Sequence, residues 1–368
     1  MKDRMMYVML KPVGSRCNLH CRYCYYLNAG VGGEEVMSDD LLEHFTREYI
    51  SAQSASHVMF TWHGGEPTLL PLSFYEKAIA LQRKYADGHI IDNSLQTNGT
   101  LLTDDWCRFL HDNHWLVGVS IDGTQEQHDS LRCRSWERTM RGIELLNRYE
   151  VEWNAMAVVN SKNMSTPKEF YRFFKSIDCR YIQFTPVVEP LDGRLPLSRD
   201  VGVTPESVTP KGWGEFCCGV FDEWVREDIG KVFVQLFDAT LANWCGVAPG
   251  VCTLSRECGN AGVMEKNGDV YACDHFVRPE YRLGNISDAS LAELMGSERQ
   301  QDFARMKTAL PARCKSCEFR FACNGECPKN RYSDGNNYLC EGYRMFFRHV
   351  SPWMDQLKME VMNNISAL

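Results

Sequence analysis

Three cysteines lie within eight residues of one another near the start of the chain, in the run Cys17-Asn18-Leu19-His20-Cys21-Arg22-Tyr23-Cys24. A closed [4Fe-4S] cluster takes four cysteine ligands, so three thiolates leave one iron open to a substrate or cofactor. The spacing therefore predicts a cluster that does chemistry at its open iron. A zinc site or a redox-active thiol pair is the alternative that these cysteines alone leave open.

Eight further cysteines with ligand-like spacing occupy the last third of the chain: Cys252, Cys258, Cys273, Cys314, Cys317, Cys323, Cys327 and Cys340. Eight thiolates are the number that two fully ligated [4Fe-4S] clusters require. Two zinc sites would fit the same count but suit electron transfer poorly, because zinc has no redox chemistry. The remaining cysteines show no such spacing and are read as small apolar fillers, although Cys245 lies close enough to Cys252 to replace it as a ligand.

The composition limits the possible partners and the compartment. The 368 residues carry a net charge of -8 and show no basic stripe, which argues against a nucleic-acid partner. The N-terminus lacks a signal-peptide pattern, and no apolar run approaches the ~20 residues of a membrane span. We therefore expect a cytoplasmic protein with no membrane partner, in which 17 cysteines indicate metal ligation and not disulfides.

Strand-like and helical segments alternate over the first two thirds of the chain, which predicts a parallel α/β sheet. The predicted strands are 7–11, 58–62, 90–96, 116–121, 153–159 and 181–186, and the predicted helices are 39–51, 73–85, 104–113, 136–149, 167–176 and 213–227. Six βα units are too few for a closed eight-stranded barrel, so we expect an open, partial (β/α)6 TIM-like barrel. Functional groups should then lie at the carboxyl ends of the strands.

The pattern changes beyond about residue 240 to cysteine, glycine and short turns, with one hairpin over 263–271 built on an Asn-Gly turn. This region has too little periodic apolar sequence for a core of its own, so we expect metal to hold it together. The predicted domains are 1–235, the barrel, and 236–368, the cysteine-rich domain. The stretch 189–211 is predicted to be a long loop that acts as a lid or insertion.

Polar residues follow three of the predicted strands. Gly64-Gly65-Glu66-Pro67 follows the second, Gln96-Thr97-Asn98-Gly99 ends the third, and Ser120-Ile121-Asp122-Gly123 ends the fourth. At strand ends, bare glycine backbone lets a ligand approach closely. Helix caps and turns are the alternative for all three, since Ser, Asp and Asn favour local hydrogen bonds.

Asp274 follows Cys273 directly. Burial and the charge of a neighbouring cluster would both raise the pKa of this carboxyl group, which suits it to take a proton. The alternative is a side chain that only orients the cluster loop.

The triad and the Gly-Gly-Glu-Pro segment resemble the radical S-adenosylmethionine (SAM) superfamily, where the open iron chelates SAM. That resemblance implies that Gly64, the backbone of Gly65 and the carboxylate of Glu66 meet the amino group of SAM. It also implies that Ser120 and Arg132 contact SAM, that Tyr23 lies by the adenine, and that Val188 lines the pocket. Arg132 may be read alternatively as an ordinary surface charge.

The C-terminal cysteines resemble the SPASM auxiliary-cluster domain. The resemblance implies two ligand sets, namely Cys252, Cys258, Cys273 and Cys327, and Cys314, Cys317, Cys323 and Cys340. With the cluster on Cys17, Cys21 and Cys24, the expected total is three [4Fe-4S] clusters.

Over nearly its full length the order of these motifs, including Leu283-Gly284-Asn285-Ile286, resembles the anaerobic sulfatase-maturating enzymes. That resemblance implies that a 5'-deoxyadenosyl radical abstracts a Cβ hydrogen from a Cys or Ser of a sulfatase polypeptide, giving Cα-formylglycine. Asp274 would be the catalytic base. Substrate contacts are expected from Tyr26, His63, Gln96 and Asp122; some relatives carry Gln where this chain has His63.

The substrate should arrive extended and unfolded, with its motif arginine drawn to Asp122 or Glu189. A ferredoxin or flavodoxin would supply electrons, and we expect a monomer. The rival enzyme function is a SPASM maturase that makes thioether or carbon-carbon crosslinks in a peptide. A non-enzymatic iron-sulfur carrier leaves the open-site triad unexplained.

Overall fold

The computed structural model describes residues 6–27 and 32–366. Within them lie ten strands: β1 (Tyr7–Lys11), β2 (His57–Trp62), β3 (Ile90–Thr97), β4 (Leu116–Ser120), β5 (Trp153–Val159), β6 (Tyr181–Pro186), β7 (Phe233–Val234), β8 (Ala261–Glu265), β9 (Asp269–Tyr271) and β10 (Arg282–Asn285). The α-helices in the same described part are α1 (Asp39–Ser51), α2 (Leu72–Tyr85), α3 (Asp104–Asp112), α4 (Gln125–Asp129), α5 (Trp136–Arg148), α6 (Pro167–Ser176), α7 (Pro210–Glu227), α8 (Gln235–Trp244), α9 (Leu291–Gly296), α10 (Glu298–Met306), α11 (Ala312–Lys315), α12 (Arg320–Cys323) and α13 (Cys340–Ser366).

The predicted strands are all present, and each boundary differs by at most one residue from the prediction. Helix α7 begins three residues earlier than predicted. Thr209 explains the earlier start, because its side chain accepts a hydrogen bond from the Gly212 N–H, while Pro210 stands at the first helical position.

The chain forms two compact units that are not simply its two halves. The first comprises Met1–Ser120, Arg132–Trp153 and Gly259–Ala304, and the second comprises Ile121–Leu131, Asn154–Cys258 and Arg305–Leu368. The predicted domain boundary after residue 235 does not coincide with a boundary between the two units, because residue 235 lies inside the segment Asn154–Cys258 of the second unit. As a functional division it stays a prediction.

The first unit contains a sheet in the order β10-β9-β8-β1-β2-β3-β4. Strands β1 to β4 are parallel, and β8 pairs in parallel with the other side of β1, so that Lys11 lies opposite Glu265. The predicted hairpin is confirmed as β8 and β9, which pair antiparallel with Val263 opposite Tyr271. Because the strands are parallel, the carboxyl ends of β1, β2, β3, β4 and β8 lie at one edge of the sheet.

Large aromatic residues fill the core of the first unit. Trp62 stacks on Trp115 with ring centroids 6.1 Å apart, and Tyr75 packs edge-on against both rings. Both tryptophans and Tyr75 are almost completely buried. This packing fixes β2 and β4, whose carboxyl ends carry the predicted site.

The second unit contains the parallel strands β5, β6 and β7. Helix α13 packs against α7 and α8 and buries an apolar stripe consisting of Tyr343, Phe346, Phe347, Val350, Met354 and Leu357. The expectation that metal alone holds the C-terminal region is therefore wrong. These residues recur at the three- and four-residue spacing of an amphipathic helix, and that helix supplies an apolar core.

No helix in the described part of the chain combines the length and the apolar character needed to cross a bilayer.

Candidate active site

The loop after β1 carries Cys17, Cys21 and Cys24, all half-buried. Burial raises the pKa of the Cys17 thiol, and the charges of Glu66 and Cys24 raise it further. The Leu19 N–H donates to Cys17 Sγ at 3.3 Å, and Asn98 Nδ2 lies 3.8 Å from the same sulfur. The loop thus gathers thiols beside the carboxyl end of β3.

The Gly-Gly-Glu turn, formed by Gly64, Gly65 and Glu66, is hydrogen-bonded to the cysteine loop. The Gly65 N–H donates to Gly14 O and the Glu66 N–H donates to Arg16 O, both at 2.8 Å. A Cβ atom at Gly65 would lie 1.8 Å from Arg16 O. The bare backbone of Gly65 thus permits close packing against the protein's own cysteine loop, and its contact with SAM stays a prediction.

The carboxylate of Glu66 is completely buried and accepts several protein hydrogen bonds. Thr68 N and Oγ1 and Thr97 Oγ1 donate to Oε1 at 2.6–3.0 Å, and Asn98 N donates to Oε2 at 2.7 Å. Burial raises the pKa of this group, which these donors partly offset. Three donors on Oε1 and one on Oε2 hold the carboxylate in place, and its predicted contact with the amino group of SAM stays a prediction.

Tyr23 and Arg132 contact each other beside the cysteine loop. Arg132 Nη1 donates to the Tyr23 hydroxyl at 2.8 Å, and the charge of Arg132 acts on the Cys17 thiol. Arg132 is only 6% exposed, so the alternative reading as an ordinary surface charge is wrong. The structure brings together two residues predicted to contact SAM.

Gln96 and Ser120 meet at the carboxyl ends of β3 and β4. Gln96 Nε2 donates to Ser120 Oγ at 3.0 Å, and both side chains are half-buried. Polar groups thus stand at the strand edge where the parallel sheet predicts a ligand.

Asp274 begins a short 3-10 turn directly after Cys273 and holds its carboxylate between two partners. Oδ1 forms an ion pair with Lys11 Nζ, and the Tyr25 hydroxyl donates to Oδ2. The ring of Tyr25 packs on His275, with ring centroids 4.8 Å apart. The two oxygens are therefore oriented by separate donors, while the side chain of Asp274 remains 18% exposed.

This ion pair corrects the predicted direction of the pKa shift at Asp274. Burial alone would raise the pKa of the carboxyl group, but the charges of Lys11, His63 and His275 and the hydrogen bond from Lys11 together outweigh burial and lower it well below its usual range. Asp274 is therefore ionised at neutral pH and has room to accept a proton.

Lys11 is fully buried and is held by aromatic rings as well as by Asp274. Its Nζ lies 3.2 Å from the ring centroid of Tyr26, a cation–π contact. The Tyr26 hydroxyl donates to both oxygens of Glu265, at 2.6 and 2.8 Å. Tyr26 is 3% exposed. Its hydroxyl and one ring face are thus engaged within the protein, and the predicted substrate contact could use only its remaining surface.

His63 directly follows β2 and is a neutral hydrogen-bond donor. The Gly64 N–H donates to His63 Nδ1 at 2.7 Å, which assigns the ring proton to Nε2. Burial lowers the pKa of His63 to about 4, an effect that Asp274 opposes and Lys11 reinforces. At neutral pH, His63 therefore presents an N–H and carries no charge.

The predicted site residues in the second unit have local partners. Asp122 is completely buried, and its Oδ1 accepts a hydrogen bond from the Val158 N–H at 2.9 Å. Lys329 Nζ donates to Val188 O at 2.7 Å and to Glu189 Oε1 at 2.5 Å. The carboxylate of Asp122 thus binds the backbone of β5, and Glu189 pairs with Lys329; a contact of either carboxylate with a substrate arginine stays a prediction.

Four of the C-terminal cysteines, Cys314, Cys317, Cys323 and Cys340, line one cavity of about 290 Å³ in the second unit. All four are half-buried. This grouping agrees with one of the two predicted ligand sets. Such a cavity with four thiols at its wall fits the ligand requirement of a [4Fe-4S] cluster.

Cys252, Cys258 and Cys327 form a second group in the same unit. Burial raises the pKa of Cys327, and the charges of Glu326, Cys252 and Cys258 raise it further, so the three thiols interact electrostatically. Lys307 is buried beside them and donates to Cys252 O and, at 2.8 Å, to Thr253 O. Cys273, the predicted fourth ligand, lies in the first unit after β9.

Among residues 6–27 and 32–366, no group of three or more His, Cys, Asp or Glu side chains is close enough to hold one metal ion. A [4Fe-4S] cluster has no such requirement, because each thiolate binds a different iron. The zinc alternative thus has no preformed three-ligand site in the described residues.

Sequence reasoning missed two buried cations, Lys11 and Lys307. Lys11 ends an otherwise apolar strand of a parallel sheet, a position where functional groups are common, so the sequence contained a signal for it. Lys307 follows α10 without any recognisable motif. Its position beside the cysteines could be seen only in the structure.

Comparison with known proteins places this geometry among characterised families. Residues 12–174 match the radical SAM superfamily model, and residues 257–318 match the SPASM model, described as an iron-sulfur cluster-binding domain. The chain is 56% identical over 382 residues to the serine-type anaerobic sulfatase-maturating enzyme of Bacteroides thetaiotaomicron, covering 97% of this chain and 92% of that protein.

Two further comparisons extend over nearly the whole chain. The cysteine-type anaerobic sulfatase-maturating enzyme of Clostridium perfringens is 33% identical over 375 residues, covering 97% of this chain and 98% of that protein. Among solved structures, native anSMEcpe with bound AdoMet and Cp18Cys peptide matches with a TM-score of 0.88 at 32% identity, covering 97% of this chain and 99% of that chain.

Proposed function

Because the chain belongs to the family of anaerobic sulfatase-maturating enzymes, we propose that it oxidises a serine side chain of a sulfatase polypeptide to Cα-formylglycine. The observation that carries the choice of serine is the 56% identity to a serine-type enzyme, against 33% to a cysteine-type enzyme, each over 97% of this chain. The radical SAM and SPASM domains give the enzyme its cofactors, SAM and three [4Fe-4S] clusters.

When bound, SAM and the reduced cluster of the first domain supply the abstraction of a hydrogen atom from Cβ of the target residue. Cys17, Cys21 and Cys24 would hold that cluster. Their half-buried loop is fixed to the Gly-Gly-Glu turn by backbone hydrogen bonds, and three thiolates would leave the fourth iron of the cluster for SAM. Tyr23, Arg132 and Ser120 are the proposed SAM contacts in the first unit, and Val188 is the proposed contact in the second.

Asp274 is the proposed base that takes the hydroxyl proton of the target serine. Lys11 keeps the carboxylate ionised, and Tyr25 fixes its second oxygen, so the acceptor is held in one orientation. The 18% exposure of Asp274 leaves it reachable from outside the protein core. His63 and Gln96 are proposed to position the substrate, since each presents an N–H group at a strand end.

The two C-terminal groups of cysteines are the proposed ligands of the auxiliary clusters. Cys314, Cys317, Cys323 and Cys340 would hold one cluster in their shared cavity. Cys252, Cys258 and Cys327 would hold the other together with Cys273. Buried Lys307 supports this proposal, because a cation stabilises neighbouring thiolates.

A peptide is the substrate class that the solved relative with bound Cp18Cys peptide supports. We further propose that this peptide is an unfolded sulfatase segment, that a ferredoxin or flavodoxin supplies electrons, and that the enzyme works as a monomer in the cytoplasm.

The test is an anaerobic incubation of the reconstituted enzyme with reductant, SAM and two peptides. One peptide carries Ser-x-Ala-x-Arg and the other Cys-x-Pro-x-Arg, and mass spectrometry detects the aldehyde. The proposal expects 5'-deoxyadenosine and aldehyde with the serine peptide, at a higher rate than with the cysteine peptide. Faster turnover of the cysteine peptide would overturn the serine assignment, and absence of aldehyde from both would overturn the function.

A further inference from the structure

The cavity formed by four cysteines in the second unit is surrounded by basic side chains. We call these the basic rim: Arg313, Lys315, Arg320, Arg344 and Arg348. Three of them, Arg313, Arg320 and Arg344, line the cavity itself. Arg348 is tied to the cavity wall, because its Nη2 donates to Oε1 of Glu318 at 2.8 Å and Glu318 is a lining residue.

The rim lies at the protein surface. All its members are exposed except Arg344, which is half-buried, and Lys315 stands between Cys314 and Cys317 in sequence. Glu318, which pairs with Arg348, and Glu341 are exposed acidic residues close to the rim in sequence.

The positive charge of the rim is opposite in sign to that of the protein as a whole. The full chain carries -8, so a positive surface of this size is a local concentration of charge. Glu326, which is buried and acts electrostatically on Cys323, accepts a hydrogen bond from Asn337 Nδ2 at 2.7 Å. The basic groups of the rim, in contrast, are exposed to solvent except for half-buried Arg344.

We propose that the basic rim docks an acidic one-electron carrier protein, which exchanges electrons with the cluster held by Cys314, Cys317, Cys323 and Cys340. Complementary charge favours a protein with acidic groups around its own redox centre, because it speeds encounter and fixes orientation. The half-buried thiols would allow the two redox centres to approach each other at the surface.

The role of the carrier rests on the proposed function. Oxidation of a serine CH2OH to an aldehyde releases two electrons and two protons. One electron and one proton leave together as the hydrogen atom abstracted from Cβ, and the second proton goes to Asp274. The second electron leaves through the rim to an oxidised carrier, which becomes reduced by one electron.

The experiment measures binding of an oxidised, acidic bacterial ferredoxin to the fully reconstituted enzyme. The test variant combines Lys315→Glu with Arg348→Glu, since neither residue lines the cavity. The control combines Arg172→Glu with Lys358→Glu and changes the charge equally. Arg172 pairs with Glu223 at 2.8 Å, as Arg348 pairs with Glu318, and Lys358 lies about 21 Å along α13 from Arg344.

Binding should weaken at least about tenfold in the rim variant at low ionic strength and stay within about twofold in the control. Wild-type affinity should fall as ionic strength rises from about 0.01 to 0.15 M, where the Debye length shrinks from ~30 to ~8 Å. Equal binding by the rim variant and the wild type, or no salt-sensitive binding by the iron-loaded wild type, would overturn the proposal.

Two readouts keep this result separate from the proposed function. Iron content should be equal in all variants. If the charge-reversal variant of the rim contains less iron than the wild type, Lys315→Gln with Arg348→Gln replaces it in the same binding measurement. With dithionite as chemical reductant, aldehyde formation by the wild type tests the function without any carrier. If the wild type forms no aldehyde with dithionite but still binds ferredoxin, the proposed function is contradicted and the docking proposal is not.

Discussion

The ammonium group of Lys11 pairs with the carboxylate of Asp274, joining the carboxyl end of β1 to the residue that follows Cys273. Lys11 has no exposed surface, whereas Asp274 keeps 18% of its side chain exposed. The pair therefore has a buried cation on one side and a reachable anion on the other. The ion pair therefore keeps the Asp274 carboxylate, the proposed proton acceptor, in its charged form at a partly exposed position.

Lys11→Met should destabilise the reconstituted enzyme by about 3 kcal/mol, because it leaves the carboxylate of Asp274 without its cation. This value is at the low end for a broken buried pair, since Asp274 is partly exposed. The measurement is the free energy of unfolding in urea. Lys84→Met, which removes an exposed partner of Glu43, should change it by about 1 kcal/mol or less. Similar losses in both variants would contradict this reading.

Asp274→Asn should separate SAM cleavage from product formation. The amide keeps the shape of the side chain but cannot take the substrate proton, so 5'-deoxyadenosine should still form while aldehyde falls by about 10²- to 10⁴-fold. Iron analysis of the same sample checks that Cys273 has not lost its cluster. Undiminished aldehyde in an iron-replete variant would leave Asp274 with a structural role only.

Gly65→Ala should disturb the cysteine loop, because the new Cβ would lie 1.8 Å from Arg16 O. We expect iron content to drop toward two thirds of the wild-type value, with loss of SAM cleavage. Gly296→Ala is the matched control, since a Cβ there has no heavy atom within 4 Å. A Gly65→Ala enzyme with full iron and full SAM cleavage would show that the loop tolerates the displacement.

His63→Gln should flatten the dependence of stability on pH. The pKa of His63 is about 4 in the folded protein and 6.5 unperturbed, so the unfolded chain binds more protons between these values. Stability should therefore rise with pH across this window, by up to about 3 kcal/mol from this group. The check is urea unfolding at several pH values, comparing wild type with variant. Parallel curves would mean that His63 titrates normally.

Replacing Cys17, Cys21 and Cys24 together by Ala should remove one of three clusters and abolish SAM cleavage, while the auxiliary clusters remain. Iron and sulfide analysis should give about two thirds of the wild-type content. Cys217→Ala is the control, because Cys217 is a buried residue of α7 that belongs neither to the triad nor to the two C-terminal cysteine groups. Unchanged iron in the triple variant would refute the assignment of the triad.

Local patterns explain which parts of this protein the sequence predicted. Strand β5 and helix α6 have the predicted boundaries because alternation, helix periodicity and the proline at the first position of α6 are all local signals. The cysteine spacing likewise identified the metal chemistry without any structure. Helix α13 was missed although its stripe from Tyr343 to Leu357 was equally periodic.

The electrostatics of the site could not be read in the same way. The pKa of Asp274 depends on Lys11, and they meet only because β8 pairs in parallel with β1. Likewise, the hydrogen bonds that Thr97 and Asn98, from the end of β3, donate to the carboxylate of Glu66 could not be read from the sequence. Such donors come from distant chain segments. Their effect on the pKa of a carboxyl group depends on how deeply that group is buried, which the sequence alone does not show.

The parallel pairing of β1 with β8 also sets an order of events during synthesis. β1 leaves the ribosome early, but its neighbour is made only after about 250 more residues. At about 5–20 residues per second, Lys11 waits roughly 13–50 s for its anion. During that time the thiols of the first cysteine loop stand beside an unfinished sheet. The ion pair between Lys11 and Asp274 can therefore form only after the first cysteine loop and most of the chain have been made.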